Sequence, residues 1–520
     1  MMNKDRESKK NWKLAAGIML IIQLVLAIVT IGITVWLNLL PASYLLLISL
    51  ILLWLVTVVY YFFYSGVKKK LPKEKKKKRL YIKRGIGCTI STVMMIFCVI
   101  ISSMLVQAGN TLNRISNQAI MTDTVSVYVL KENPAQDMLD AKDYVFAVTE
   151  NFDYDKTKTT IEEINAQVEK TIQTQTFETI LDMVDALYEG SVDAMILNVA
   201  YVDLIESQDD YEDFSLKTKT LFDHETEVLV EEPSGTQNKD ITKDSFIVYI
   251  SGSDTRNSSL TGNTRSDVNI LAVVNPTTKQ VLLINTPRDY YIDITASPGA
   301  KDKLTHCGVY GIDCSMDSLA LLYDEPVDYY AKISFSGFET LIDAIGGITI
   351  ESEKSFYTYK DNYYIGEGTN TLNGAYALSY VRERKAFADG DNARGRHQME
   401  MIEAIIAKVC SGTTILSNYS AILDSMEGMF TTNMSQADIS ALVKMQLSDG
   451  ASWNVKSFAV SGKGSKQHVY SMPGVRTYVT LPDETTVSYA RLLINKTVDG
   501  VILTDEDMIQ PTYESTDEQY

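Results

Sequence analysis

The chain has 520 residues, a formal net charge of −18, four His and five Cys. That length exceeds one ordinary domain, the few Cys and His leave little for a metal cage or a disulfide scaffold, and the acidity opposes nucleic-acid binding. The charge is unevenly divided. Residues 1–108 carry 16 Lys+Arg against 3 Asp+Glu, net +13, while the remainder carries 32 against 63, net −31. Such asymmetry indicates two environments.

The first environment is a membrane. Ala15–Leu37, Tyr44–Tyr64 and Gly85–Gln107 are uncharged apolar runs, each long enough to cross a hydrocarbon core of about 30 Å. They predict a membrane domain over 1–108 with spans at about 15–37, 44–64 and 85–107. The loop between the second and third spans holds eleven Lys or Arg from Lys68 to Arg84 against one Glu. Cationic loops stay cytoplasmic, so the N-terminus is expected inside and everything after the third span outside. The apolar runs are too long for a cleaved signal peptide. Without aromatic interleaving, the lysine run reads as a topology determinant and not as a nucleic-acid patch.

Residues 120–232 predict a small accessory α/β domain. Strand-like alternation over 124–150 leads into helical spacing from Thr157 to Gly190, and "DAMILNVAYVDLI" then gives an apolar strand leading into a helix. "EEPSGTQNKD" (231–240) reads as a linker. Residues 245–475 predict the main domain. "SFIVYISG", "DVNILAVVN", "QVLLIN", "YYAKISF" and "GGITIES" are near-continuous apolar strands, with helical patterns in "SLALLYDE", "FSGFETLIDAIGG" and "RHQMEMIEAIIAKVCSG". That alternation implies an α/β fold with three α/β/α layers. Residues 476–520 read as a C-terminal helix and a loose acidic tail. Cys307 and Cys314 flank "GVYGID", where a disulfide is open on spacing alone.

Chemistry concentrates in arginine. Only ten arginines lie beyond residue 108, and seven fall in three short stretches. "SGSDTRNSSLTGNTRSDVN" holds Asp254, Arg256, Arg265 and Asp267; "INTPRDYYIDI" holds Arg288 and Asp289; "YVRERKAFADGDNARGRHQ" holds Arg382, Arg384, Arg394 and Arg396. Permanently charged planar forks in such number suit a ligand with several phosphate oxygens. Asp254 and Asp267 beside them suit a Mg²⁺ bridging carboxylate and phosphate. A surface salt bridge is the better account of any single Arg–Asp pair, but not of the whole set in an arginine-poor region.

These stretches, with "KLTHCGVYG", "FETLIDAIGGITIE" and "LNGAYALSYVRERK", resemble the LytR-CpsA-Psr (LCP) family over about 245–405. The preceding domain resembles the accessory domain of its capsule-type members. The resemblance implies a magnesium-dependent membrane phosphotransferase. Its substrate would be an anionic glycopolymer, of capsular polysaccharide or wall teichoic acid type, passed from a polyprenyl-pyrophosphate carrier to peptidoglycan. It places Asp254 and Asp267 at the metal, and Arg265, Arg288, Arg382, Arg384, Arg394 and Gln398 at the pyrophosphate. Asp267, Arg288, Asp391 and Arg394 become the catalytic set, with Asp391 or Asp267 as proton acceptor. Arg396 is peripheral, and Cys307 departs from the small residue common in its motif. His306 fits either a general base or a structural hydrogen bond; Lys303 fits a phosphate contact or a solvated residue. The implied partners are the lipid-linked polymer, peptidoglycan, the bilayer and proteins of polymer biosynthesis. Two rivals stay open: a lipid pyrophosphate hydrolase, and a non-catalytic sensor that regulates capsule synthesis.

Overall fold

The computed structural model describes residues 2–38, 40–66, 72–116, 120–229, 239–253, 260, 262–411, 422 and 428–509. The chain divides into two compact units. One takes Met1–Arg114, Leu416–Asp424 and Ser435–Ala451; the other takes Ile115–Ile415, Ser425–Met434 and Ser452–Tyr520.

The first unit contains α1 (Met2–Leu37), α2 (Ala42–Tyr64) and α3 (Lys73–Ser116), which are long and apolar enough to cross a membrane. α3 runs past the expected end at Gln107 as one continuous helix. Leu14, Ile21, Ile28, Leu46, Leu53 and Ile100 point outward, as side chains in contact with lipid do. Inside, Gln23 is buried: its Nε2 donates to Met94 Sδ (2.7 Å) and its Oε1 accepts from Ser91 (2.8 Å). Thr30 meets Ser102 at 2.9 Å. Polar pairs of this kind join helices where lipid gives no hydrophobic drive to associate.

The second unit opens with a five-stranded sheet. In chain order it has β1 (Ile120–Leu130), β2 (Val145–Thr149), α4 (Tyr154–Val168), β3 (Gln173–Phe177), α5 (Ile180–Glu189), β4 (Ala194–Asn198) and β5 (Thr218–Leu229), with strand order β3-β2-β4-β1-β5. The helical spacing expected from Thr157 to Gly190 is therefore broken. Glu169 turns into the left-handed region and caps α4, and "QTQTF" pairs with β2 as an edge strand before Thr179 caps α5. The period-2 pattern of β-branched Thr won over the longer helical register. The sheet's faces alternate as a pleat requires: Phe146, Val148 and Ile196 pack on Ile164 and Val168, and Ala147, Met195 and Leu197 pack on Met183, Val184 and Leu187.

The main sheet comprises β6 (Phe246–Ser253), β7 (Val268–Asn275), β8 (Gln280–Asn285), β9 (Tyr329–Ser334), β10 (Phe430–Thr432) and β11 (Asn454–Ala459), in the order β10-β9-β6-β7-β8-β11. Its layers are α/β/α. Leu271, Val273, Leu282 and Ile284 face α6 (Ile312–Tyr323) and the helix Glu484–Val498, while Ile270, Ala272, Val281 and Leu283 face Met399, Ile402 and Ile406 of the helix Asp391–Cys410. "GGITIES" forms a strand, but in a separate hairpin with Gly368–Leu372. β11 joins the sheet edge beside β8, from a stretch whose apolar content did not announce it.

The expected boundary at 475 falls inside a strand. β12 (Gly462–Val469) and β13 (Met472–Pro482) form a hairpin, and the helix Glu484–Val498 buries Val487, Ala490, Leu493 and Ile494 in the main core. The C-terminal segment is thus integral to the sheet's outer layer. Its tail is anchored as far as Ile509, with Lys496 paired to Asp507 at 2.9 Å; residues 510–520 lie outside the described residues.

Leu283 is fully buried between sheet and helix. Leu283→Ala should destabilise the second unit by about 2–5 kcal/mol through lost transfer energy and a residual cavity. A denaturation midpoint equal to wild type would show that the helical layer does not depend on this face.

Candidate functional site

Adjacent strand ends bring the first two stretches together. Asp267 precedes β7 and its N–H bonds the Gly252 carbonyl at 2.8 Å. Arg288 and Asp289 follow β8, which pairs antiparallel with β7, so both arrive at the same edge of the sheet. The third stretch comes from helices. α7 (Phe335–Ala344) and α8 (Gly374–Val381) lead to Arg382 and Arg384, and α9 (Asp391–Cys410) starts at Asp391. Asp391, Arg394 and Gln398 share one face of α9 by their spacing. The N-terminus of that helix is also where its dipole favours anions.

Local packing explains the odd residues between the arginines. In "RER", Glu383 turns inward, accepting from the backbone N–H of Lys385 (2.7 Å), Ala386 (2.9 Å) and Tyr359 (2.5 Å). It organises the turn while Arg382 lies over the Phe335 ring at 4.5 Å. In "RGR", a Cβ on Gly395 would sit 2.3 Å from Asn285 Nδ2, so only glycine lets α9 lie this close to the end of β8. Arg396 points away, to Asp389 and to Glu353 at 3.6 Å.

Two adjoining cavities result, sharing Arg288 and Arg384. The inner one, ≈ 330 Å³, is lined by Asp267, Arg382, Arg394, Gln398 and Phe335 among others. The outer one, ≈ 500 Å³, is lined by Arg265, Asp289, Lys303, His306 and Asp391. Arg288 Nη1 donates to Asp267 Oδ1 at 2.8 Å and its Nε lies 3.6 Å from Asp289 Oδ2. Arg394 Nη2 is 2.7 Å from Asp391 Oδ1, and Lys303 Nζ is 3.3 Å from Asp289 Oδ1. Burial works against the Asp267 charge, yet Arg288, then Arg265 and Arg394, outweigh it and hold the carboxyl below its usual range. Burial also works against Arg288, but Asp267, Asp289 and Asp391 raise its pKa above the ordinary value. Arg394 shifts down: burial disfavours its charge, and Arg288 and Arg384 repel it despite Asp391.

The two expected metal carboxylates fare differently. Asp254 and the neighbouring Arg256 lie outside the described residues; β6 ends one residue earlier, at Ser253. Asp267 keeps Oδ2 free of any described partner while Oδ1 holds Arg288. One such oxygen beside a cluster of guanidinium groups fits Mg²⁺, which takes one or two carboxylates together with phosphate oxygens.

Around this core the structure assigns the open cases. His306 Nδ1 meets Asp302 Oδ1 at 2.7 Å and Ser471 Oγ at 2.8 Å, a fully buried network that ties the β12–β13 turn to the site. Cys307 and Cys314 are free thiols, both buried beside Ser318 in the main core and absent from the lining of either cavity. Their hydrogen bond to each other and burial push the Cys307 thiol up. Sequence reasoning missed Lys332, the one cation in the apolar strand "YYAKIS". Burial lowers it to about 8, and its Nζ donates to the Gly262 carbonyl at 2.9 Å, beneath the segment that leads to Arg265. It also missed the outer wall of the larger cavity, formed by Ser207–Asp209 and the β12–β13 hairpin.

The profile of the LytR_cpsA_psr family matches residues 213–481. The chain belongs to this family. It is 35% identical over 198 residues to the polyisoprenyl-teichoic acid–peptidoglycan teichoic acid transferase TagU of Enterococcus faecalis, covering 38% of this chain and 64% of that protein. Against TagT of Bacillus subtilis it is 37% identical over 206 residues, covering 38% and 62%, and against TagU of B. subtilis 33% over 228, covering 43% and 71%. The match thus spans under two thirds of the first two relatives. The structure of TagT bound to LIIa-WTA aligns with 52% of this chain and 97% of its own, with 27% identity and a TM-score of 0.43.

His397, in the third stretch, stacks on Tyr380 at 4.3 Å and meets the edge of Phe387 at 4.8 Å. Burial, then Arg396, lowers its pKa from 6.5 to about 4. The folded state therefore holds it neutral while the unfolded chain protonates first, so stability is lost as pH falls from 6.5 toward 4. The loss should be on the order of 3 kcal/mol. His397→Phe should flatten that stretch of the stability–pH curve. An unchanged curve would show that other groups carry the acid sensitivity.

Proposed function

We propose that this LCP-family chain is a phosphotransferase that moves an anionic glycopolymer from a polyprenyl-pyrophosphate carrier to peptidoglycan outside the membrane. The observation that carries the reading is the convergence of Arg288, Arg382, Arg384, Arg394 and Gln398 on joined cavities with Asp267. A pyrophosphate diester matches such a set of planar forks in charge and in geometry. The names of the relatives support the polymer and acceptor classes.

Asp267, and Asp254 by the family resemblance, would hold Mg²⁺, which would supply electrostatic neutralisation of phosphate oxygens. The chain's own groups do the rest. The acceptor hydroxyl of peptidoglycan attacks the sugar-side phosphorus, forming the new P–O bond as the bond to the bridging oxygen breaks. Lipid phosphate departs with that electron pair. Arg288, Arg384 and Arg394 meet the charge developing on the equatorial and leaving oxygens, which is where most phosphoryl-transfer catalysis resides. The hydroxyl proton passes to Asp391, whose carboxylate is more exposed than that of Asp267 and faces the outer cavity. Asp267 is the poorer acceptor because Arg288 holds its carboxyl low. Arg394 fixes the position of Asp391.

Asp267→Asn should abolish polymer attachment while the protein still folds and inserts. Product linked to muropeptides at the wild-type level in that variant would sink the role given to this carboxylate. Free polymer phosphate without linked product from the wild type would instead mean hydrolysis, with water as acceptor.

Arg288→Lys keeps the charge but loses the fork that bridges Asp267 and Asp289. Turnover should fall at least about 100-fold, reflecting lost orientation. Turnover within a few-fold of wild type would mean that the site needs only positive potential.

Orientation follows from the cationic loop. A cysteine at exposed Leu492 should react with a membrane-impermeant thiol reagent on wall-permeabilised cells, above the labelling of the parent chain, and one at exposed Lys75 should not. The opposite pattern would put the arginine site in the cytoplasm, beyond reach of peptidoglycan.

A further inference from the structure

The reading above leaves the outer cavity wall unused, and we propose that this wall binds the anionic glycan of the lipid-linked donor, next to the pyrophosphate. The proposal rests on the phosphotransferase reading and adds a subsite to it. The wall comes from two places. The accessory sheet contributes the loop Ser207–Asp209, and the β12–β13 hairpin contributes Lys466, Arg476 and Tyr478, on the same cavity that holds Arg288 and Arg384.

Its chemistry is that of a saccharide site. Lys466 pairs across the hairpin with Tyr478, and Arg476 lies two residues along, so all three present from one face. Tyr478 is 52% exposed and offers a ring face for a sugar to lie on. Gln208 and Asp209 offer an amide and a carboxylate to sugar hydroxyls. Arg476 Nη2 donates to the Lys466 carbonyl at 2.6 Å, and neither cation has a carboxylate partner among the described residues. Beyond residue 108, where the net charge is −31, only three arginines lie outside the three site stretches, and Arg476 is one of them. Two cations without a carboxylate partner among the described residues, flanking an aromatic face, suit a sugar bearing phosphate or carboxylate. They suit an uncharged glycan strand less well.

The wall is also held in place. The hairpin turn is pinned by Ser471 N–H to Asp302 Oδ2 at 2.7 Å and by Ser471 Oγ to His306 at 2.8 Å. The Thr480 N–H donates to the Asp289 carbonyl at 2.7 Å, tying β13 to the residue after Arg288. Val469, Met472 and Val479 from the hairpin's buried side share one core with Met183, Leu187 and Leu197 of the accessory sheet. Arg265 Nε lies 3.9 Å from Asp203 of that module. A preorganised wall loses little entropy on binding, which is what a subsite requires.

The test is binding by the full-length protein in lipid nanodiscs to three probes: bare polyprenyl pyrophosphate, its neutral disaccharide, and the disaccharide carrying glycerol phosphate. The Lys466→Glu, Arg476→Glu double variant should bind the phosphate-bearing probe about tenfold more weakly and the bare carrier as wild type does. Tyr478→Ala should weaken both glycan-bearing probes. Equal weakening for the bare carrier would overturn the proposal, since the cations would then serve the pyrophosphate alone. Unchanged binding of all three probes would overturn it too. So would a raised KM for the muropeptide acceptor with donor binding intact, because the wall would then belong to the acceptor. Failure of the wild type to bind even the bare carrier would instead bring down the phosphotransferase reading itself.

Discussion

Guanidinium groups repel one another, and this fold holds Arg288, Arg384 and Arg394 around one pair of cavities. Carboxylates beside Arg288 and Arg394 offset that repulsion. Asp267 and Asp289 flank Arg288, and Asp391 holds Arg394 from one helical turn away. Removing one partner of a half-buried pair leaves the other charge poorly compensated, so these carboxylates hold Arg288 and Arg394 before any ligand arrives. A polyanion entering the cavity can compete for those same guanidinium groups. The protein's own acids thereby hold Arg288 and Arg394 in place, and in the proposed reaction phosphate oxygens would take over those contacts.

Holding so many charges in register requires a stiff support. β7 and β8 supply it: their faces alternate between two helical layers, so neither strand can slip without exposing one apolar set. α9 then has to approach the end of β8 closely, which fixes Gly395 between two arginines. Gly308 has a matching role, since a Cβ there would come within 2.2 Å of the Thr264 carbonyl, next to Arg265. Both glycines shape the site through close backbone and side-chain approach alone.

Much of this was legible in the sequence, for identifiable reasons. The membrane spans and β6 to β9 are continuous apolar runs, whose length alone separates them. The arginine stretches stand out because arginine is scarce around them, and they did come together, apart from Asp254 and Arg256, which lie outside the described residues. Other features depended on distant partners. β3 hides inside a helical pattern because only pairing with β2 makes it a strand, and β11 is an ordinary polar-apolar stretch until β8 adopts it. Nothing local in the helix Glu484–Val498 reveals that it covers the main sheet. Lys466 and Arg476 escaped notice as isolated surface charges; their meaning comes from the hairpin register that puts them beside Tyr478.

The accessory module is the part whose relation to the site the sequence concealed most. Read as a separate domain, it had no constellation of its own and no evident task. In the fold it shares an apolar core with the hairpin, through Val469, Met472 and Val479, and an aromatic seam in which Phe152 meets Tyr470 at 5.8 Å and Tyr201 meets Tyr310 at 6.4 Å. A shared core is a stronger coupling than a linker, because the two parts cannot separate without exposing that surface to water. Asp302, buried and bonded to both His306 and the Ser471 N–H, extends the same tie with polar contacts. His306 is thereby fixed by Asp302 and Ser471, which explains its place in the motif as a structural link between the cavity floor and the wall. The module's task is then one of shape: its loop Ser207–Asp209 makes the outer cavity deeper than the arginine cluster alone would.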